Sequence, residues 1–363
     1  MKVEILLYVY LAVCLSMIVF NIVHAVVLKR RDVRTERVSA GLERHVRAQI
    51  ERAGADEKHL KYMMRKLRRV GNMIAFDKML EPMYIENAGR TRDYLYSLDS
   101  VIIALTAYYS GRGGIEAAYF PYIIKKYRLI AHRPFPSITG TLISMLHSPS
   151  IYCRENAMQA LYTTGDADCI MEALTVIDSS SDFYHGKMLS DGLLNFAGSA
   201  RELNGKITAG FDGFSPSMQV VLLNYLRFCD SGYGCFAYGL LRDGTRDDEV
   251  RYACIRYLGK FPLEEARDYI LSLAECTDAA RWEYAAIASS ALAAYPGEKT
   301  EERLKQNLYS PNWYIRLNSA DSLDRQGFTY EKLADVIDGK DRYASEMLRY
   351  RLERARIAQG ART

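Results

Sequence analysis

The sequence predicts an all-α protein: one long apolar helix followed by stacked helix pairs in an α-solenoid. Three observations predict it. Residues 5–28 form an uninterrupted apolar run without Asp, Glu, Lys or Arg. The body carries a repeat of about 32 residues with glycine near the end of each first helix. Alternating apolar runs that would mark strands are absent. With 49% hydrophobic and 25% charged residues in 363, the composition excludes wholesale disorder.

The formal charge of +4 divides unevenly along the chain. Residues 1–28 sum to zero, residues 29–69 carry a net +8, and the remaining 294 residues carry a net −4. A basic segment thus separates an uncharged start from a mildly acidic body. That distribution argues against a nucleic-acid-binding surface, which needs clustered basic charge over the body.

The run at 5–28 amounts to about 36 Å of helix at ~1.5 Å per residue, enough to cross ~30 Å of hydrocarbon with some tilt. A cleaved signal peptide has an apolar stretch of about 7–15 residues and a small-residue cleavage site. Here the run is longer, and Lys29-Arg30-Arg31 follow it, so an anchor is expected. By the positive-inside rule the body lies in the cytoplasm and residues 1–4 face outward. Residues 29–69 form a basic juxtamembrane helical segment, with Leu42, Val46, Ile50, Leu60, Met63 and Leu67 at helical spacing. Lys29, Arg30, Arg31, Arg34 and Arg37 are candidates for contact with anionic lipid headgroups. A solvated helical stalk is the equally weighted alternative.

Residues 70–145 read as degenerate helical repeats or a cap, ended by the His132–Pro136 stop. From 146 to 340 the register is regular. Arg154, Lys187, Gln219, Arg251, Glu283 and Arg316 recur at spacings of 33, 32, 32, 32 and 33. Mostly small residues stand three positions after these anchors. Seven positions after stand Leu161, Leu194, Leu226, Leu258 and Leu323, with Ser290 as the exception. Helix stops follow at Gly165, Gly198 and Gly327, with Gly232, Gly259 and Gly297 near the equivalent places. Each helix pair is too small to bury its own apolar face, so stacking must supply the core. Residues 341–363 are expected to be a charged capping helix and tail.

Three stretches carry a family resemblance: LRDGTRDDEVRYACIRYLGKF (241–261), LYSPNWYIRLNSADSLDRQG (308–327) and LHSPSIYCRENAMQALYTTG (146–165). They are similar to the turn-then-VR-xx-A-xxx-L pattern of HEAT repeats, an armadillo-like α-solenoid family, over a little more than half the chain. Lys187, Gln219 and Glu283 depart from the arginine of that pattern. The resemblance implies protein binding and brings no catalytic residue with it. To single-span bacterial proteins of this type it implies an envelope enzyme, such as a glycosyltransferase, as partner. HEAT-like lyases that act on a bound chromophore supply the alternative reading.

Motifs of catalysis do not stand out. The six histidines are dispersed, and neither a GxSxG elbow nor a Walker loop occurs. No catalytic, metal or cofactor residues are assigned, and a non-catalytic scaffold or adaptor is expected. Asp243, Asp247 and Asp248 lack EF-hand spacing and read as helix-capping residues. The cysteines, Cys276 among them, read as reduced buried thiols. Tyrosine is abundant, at 27. Of the aromatic residues in the last repeats, Tyr252, Trp282, Tyr284, Trp313 and Tyr314 are candidates for a partner-binding face, because Tyr and Trp are enriched in binding hot spots.

Overall fold

A computed structural model describes residues 3–52, 54–133, 135–180, 184–275 and 278–360. All regular structure among them is helical, without a strand. The chain groups into two compact units, residues 1–182 and 183–363. The division falls between the first and second of the six anchors.

The first unit begins with α1, Val3–Glu51, a single helix of 49 residues. Its N-terminal part is long and apolar enough to cross a membrane, with mean hydropathy 2.5 over its most apolar window and none of that window buried. The same helix then continues through the basic segment. Leu42 and Val46 on this distal part are fully buried, and Glu36 and Arg47 pair with Lys78 and Glu86 at 3.2 and 3.0 Å. The segment after the apolar run is therefore neither an independent stalk nor a separate helix. Its C-terminal end is a core element, because Leu42, Val46 and Gln49 share one helical face.

α2 (Glu57–Leu67) and α3 (Val70–Glu86) follow, then α4 (Ala88–Ser97), α5 (Asp99–Ser110), α6 (Gly114–Lys126) and α7 (Pro136–Ser144). α1 packs on α3, α3 on α4 and α6, and α5 on α6 and α7. Asp77 of α3 is buried and accepts hydrogen bonds from the Tyr119 and Tyr127 hydroxyls at 2.8 and 2.7 Å, with the Lys126 ammonium at 2.9 Å. A buried carboxylate is tolerable only with such partners. His59 of α2 meets the Tyr94 hydroxyl of α4 at 2.8 Å. α8 (Ile151–Tyr162) and α9 (Ala167–Ser179) close the unit as a helix pair, with Gly165 in the left-handed region at φ +75° between them.

The second unit contains α10 (Gly186–Leu193), α11 (Ala200–Ala209), α12 (Pro216–Cys229), α13 (Gly234–Arg242), α14 (Asp248–Lys260) and α15 (Arg267–Ala274). It continues with α16 (Trp282–Ala291), α17 (Glu298–Asn307), α18 (Trp313–Arg325), α19 (Ala334–Ile337) and α20 (Arg342–Gly360). The even-numbered helices from α10 to α18 carry the anchors, and each packs on the next: α10 on α12, α12 on α14, α14 on α16, α16 on α18. α20 packs on α18 and α19.

Four of the six anchors share a physical task. The guanidinium of Arg154 donates to the Ser148 carbonyl at 2.8 Å, that of Arg316 to the Ser310 carbonyl at 2.6 Å, and that of Arg251 to the Leu241 carbonyl at 3.2 Å. Each bond satisfies a carbonyl at the end of the preceding helix or turn, where intrahelical partners run out. Gln219 performs the same task with its amide, donating to the Phe211 and Phe214 carbonyls at 3.2 and 3.0 Å. Lys187 does not fill this role, since its side chain is exposed.

Leu161, Leu226, Leu258 and Leu323 are fully buried, as their spacing requires. Leu194 is not: it is 46% exposed, and Leu193 takes the buried place at 1%. α10 has eight residues, and Leu194 is its C-cap, so its side chain leaves the helix face that its predecessor occupies. Gly327 ends α18 at φ +80°, with Phe328 N–H donating to Leu323 and Gly327 N–H to Asp324, the paired bonds of a Schellman end. Gly259 has a different purpose from a helix stop. A Cβ there would lie 2.9 Å from both Cα and Cβ of Ala291, so this glycine permits close approach of α14 and α16.

Buried tyrosines tie neighbouring repeats together. The Tyr257 hydroxyl donates to the Asp230 carbonyl at 2.7 Å and accepts from Tyr233 N–H at 3.0 Å. The Tyr295 hydroxyl makes the same pair of contacts with the Leu258 carbonyl and Leu263 N–H, at 3.1 and 3.2 Å. Each ring fills an inter-helix gap while its hydroxyl serves a helix end one repeat earlier. Tyrosine does this where phenylalanine would remove the partner of one backbone carbonyl and one N–H.

Candidate partner-binding face

α16 and α18 begin in the same manner. Asp278 accepts from Ala280 N–H in the single turn leading into α16, and Asn312 caps α18 by accepting from Tyr314 N–H at 2.8 Å. Trp282 and Trp313 are then the first residues of their helices, at the ends rather than between them. Trp282 packs on Ala285, Ala286 and Ile315 and stacks on Tyr314, ring centroids 5.3 Å apart and planes at 22°. Trp313 meets Tyr314 edge-on at 5.1 Å. Trp313 and Tyr314 are each half exposed, so three rings form one contiguous aromatic surface.

A groove of about 580 Å³ adjoins it, lined by Trp282, Ala285, Tyr309 and Ile315, with the Glu275–Arg303 ion pair at its rim.

Of the five aromatic candidates, the structure brings Trp282, Trp313 and Tyr314 together and removes Tyr252 and Tyr284 from any exposed face. Tyr252 and Tyr284 are buried against each other, edge-on at 4.7 Å between α14 and α16. The Tyr284 hydroxyl accepts from the Arg251 guanidinium at 2.7 Å and donates to the Asp248 carboxylate; Tyr269 accepts from the same guanidinium at 3.1 Å. Burial pushes the Tyr252 hydroxyl up to about 12. Tyr309, one of the tyrosines of the last repeats but not among the five candidates, is 48% exposed and lines the same groove, in the turn after α17.

Lys29, Arg30, Arg31, Arg34 and Arg37 are all exposed on α1, between its apolar part and its packed end. Asp247 caps α14 by accepting from Glu249 N–H at 2.9 Å, and Asp166 caps α9 in the same way. Cys153, Cys169 and Cys254 are buried free thiols, and burial pushes the latter two up to about 12, where they stay protonated. Cys276 lies outside the described residues, as do residues 1, 2 and 361–363 of the expected N-terminus and tail.

Fold and site together define an all-helical protein with one helix of membrane-spanning length and an exposed aromatic face. No protein-family model matches the chain, and no curated protein matches it. Among solved structures it is similar to an engineered protein crystallised by the Northeast Structural Genomics Consortium, at 14% identity. That match covers 88% of this chain and 97% of the other, with a TM-score of 0.35, a likeness too loose to carry any argument.

Proposed function

We propose that this protein is a non-catalytic, membrane-tethered scaffold whose helix pairs stack as a HEAT-like α-solenoid and bind a protein partner at the cytoplasmic face of the membrane. The observation that carries the reading is α1, exposed along its apolar part and embedded in the helical body at its other end. Some 20 consecutive apolar residues with no protein cover need lipid around them. Because the same helix becomes a core element of the first unit, that unit is held at a fixed distance from the bilayer. From Leu28 to Leu42 that distance is about 21 Å at ~1.5 Å per residue. The five exposed cations of α1 lie within this stretch, where anionic headgroups attract them by about 1 kcal/mol each.

The aromatic face of Trp282, Trp313 and Tyr314 is the partner-binding surface in this reading, and the partner is a membrane-associated enzyme. The test replaces Trp313 with photoreactive benzoylphenylalanine in the full chain and irradiates intact membranes. A discrete adduct to one protein, lost in Trp282→Ala, is the expected result. Absence of any adduct, or recovery of the protein in the soluble fraction, overturns the proposal. Cys235, the exposed thiol among the described residues, reports orientation: a membrane-impermeant maleimide should label it only after the membrane is opened.

A further inference from the structure

A second surface of the same unit has a different chemistry. A groove of about 550 Å³ runs across α12, α14, α16 and α18, and its charged lining residues are Arg227, Arg256, Lys260 and Arg325, with no carboxylate among them. None of these four cations pairs with a carboxylate among the described residues. The Arg227 Nε is buried without a hydrogen-bond partner. Phe228, 52% exposed, lies under both the Arg227 guanidinium and the Lys260 ammonium, at 5.0 and 4.6 Å from its ring centroid. Burial and the neighbouring Arg256 charge both disfavour the charged form of Arg227. By contrast, Arg246 and Arg303 of the same unit are partly buried with carboxylate partners: Arg246 pairs with Asp212 and Asp243, and Arg303 with Glu275. Four unpaired cations in one concavity cost stability through mutual repulsion, a cost that an anionic occupant would remove.

We propose that this groove binds an acidic, extended peptide segment of a partner protein. The groove crosses four alternate helices, each packed on the next at ~10 Å, so it spans about 30 Å, the length of about nine extended residues. Ile287, Ala291 and Phe228 supply apolar contacts that a peptide's side chains use and a phosphate chain does not. Acidic residues also limit the ligand's reach. The adjoining groove, which shares Arg227 and Phe228, is lined by Asp191, Asp247 and Glu249, and they would repel a nucleic-acid strand continuing past Arg227. This assignment rests on the scaffold reading and gives the partner a chemistry, but it uses a different surface from the aromatic face.

The test measures fluorescence anisotropy with the full chain in zwitterionic nanodiscs, which removes anionic lipid as a competitor. The probe is a fluorescein-labelled peptide of about nine residues, rich in Glu with interspersed Leu; a thymidine oligonucleotide of similar length and tripolyphosphate serve as competitors. Expected are binding that weakens steeply with salt and a loss of roughly tenfold or more in affinity in Arg256→Gln/Lys260→Gln. Without peptide, that double variant should melt about 1–3 °C higher, because repulsion is relieved, and this also shows that it folds. Lys299→Gln/Lys340→Gln, two exposed cations outside the groove, should bind like wild type. Absence of peptide binding, unchanged affinity in the groove variant, or an oligonucleotide or tripolyphosphate that binds as tightly as the peptide overturns the proposal. The Trp313 adduct would survive any of these outcomes, so the two readings fail separately.

Discussion

Replacing Arg251 tests how one repeat is fastened to the next. Arg251 is 7% exposed, and its guanidinium donates to the Leu241 carbonyl of α13, the Tyr269 hydroxyl of α15 and the Tyr284 hydroxyl of α16. Arg251→Ala leaves a buried carbonyl without its side-chain donor and costs Tyr284 its charge-assisted bond, although Tyr284 keeps Asp248. Tyr269 is partly exposed and recovers its loss from water. At about 1–1.5 kcal/mol for each bond to a buried acceptor and less for Tyr269, the loss is about 3 kcal/mol. Arg251→Gln should cost less, about 2 kcal/mol, because Gln219 shows that an amide at this position reaches the preceding turn. Urea unfolding followed by tryptophan fluorescence reads this unit alone, since both tryptophans, Trp282 and Trp313, lie in it. With a slope near 2 kcal/mol/M the alanine midpoint falls by about 1.5 M. A cost below about 1 kcal/mol for alanine, or a glutamine variant less stable than the alanine variant, would refute the assignment.

Gly259→Ala places a methyl 2.9 Å from the Ala291 backbone and should destabilise by about 1–3 kcal/mol, read as a lower urea midpoint, although alanine is the better helix former. Leu193→Ala should cost about 2–5 kcal/mol and Leu194→Ala less than about 0.5, which urea denaturation of the two variants separates. His59 gives unit 1 a pH dependence. Burial, and then the neighbouring His45 charge, hold it below its ordinary 6.5, so the folded state favours neutral imidazole. Its contribution is present above about pH 6.5 and is lost as pH falls through the depressed folded value. Circular-dichroism melts between pH 7.5 and 5 should show a falling midpoint in wild type and a flatter profile in His59→Gln.

The parts of this fold legible in the sequence were those written at fixed spacing. Four of the six anchors, Arg154, Gln219, Arg251 and Arg316, serve a preceding carbonyl, four of the five leucines are buried, and Gly165 and Gly327 adopt positive φ, all at a period of about 32 residues. Leu194 departed by one residue because helix length varies between repeats while spacing does not. The continuity of α1 was hidden because polarity changes at Lys29 although helical backbone does not. The roles of Tyr257 and Tyr295 could not be read locally, since their hydroxyls serve backbone groups 27 and 37 residues away. For the same reason Tyr252 and Tyr284 resembled surface aromatics until the neighbouring helix was in place.

The two kinds of cation in the second unit show how angular position on one helix separates structure from binding. Anchors face the preceding turn, where carbonyls wait, so Arg251 and Arg316 are consumed by backbone. Phe228, Lys260 and Arg325 each stand nine residues after an anchor, which at about 100° per residue places them on the opposite side of their helices. There the stacked helices present side chains to solvent in a row, and no carboxylate among the groove's lining residues answers the charge. A mean charge near neutrality concealed this row, because its members are spread over about 100 residues and become neighbours only when the repeats stack. Exchanging Lys260 for Glu should therefore leave the packing of α14 intact while pairing Arg227 or Arg256 internally. The thermal midpoint should rise and the affinity for an acidic peptide should fall. A simultaneous fall in both would mean that Lys260 serves the fold and that the groove is incidental.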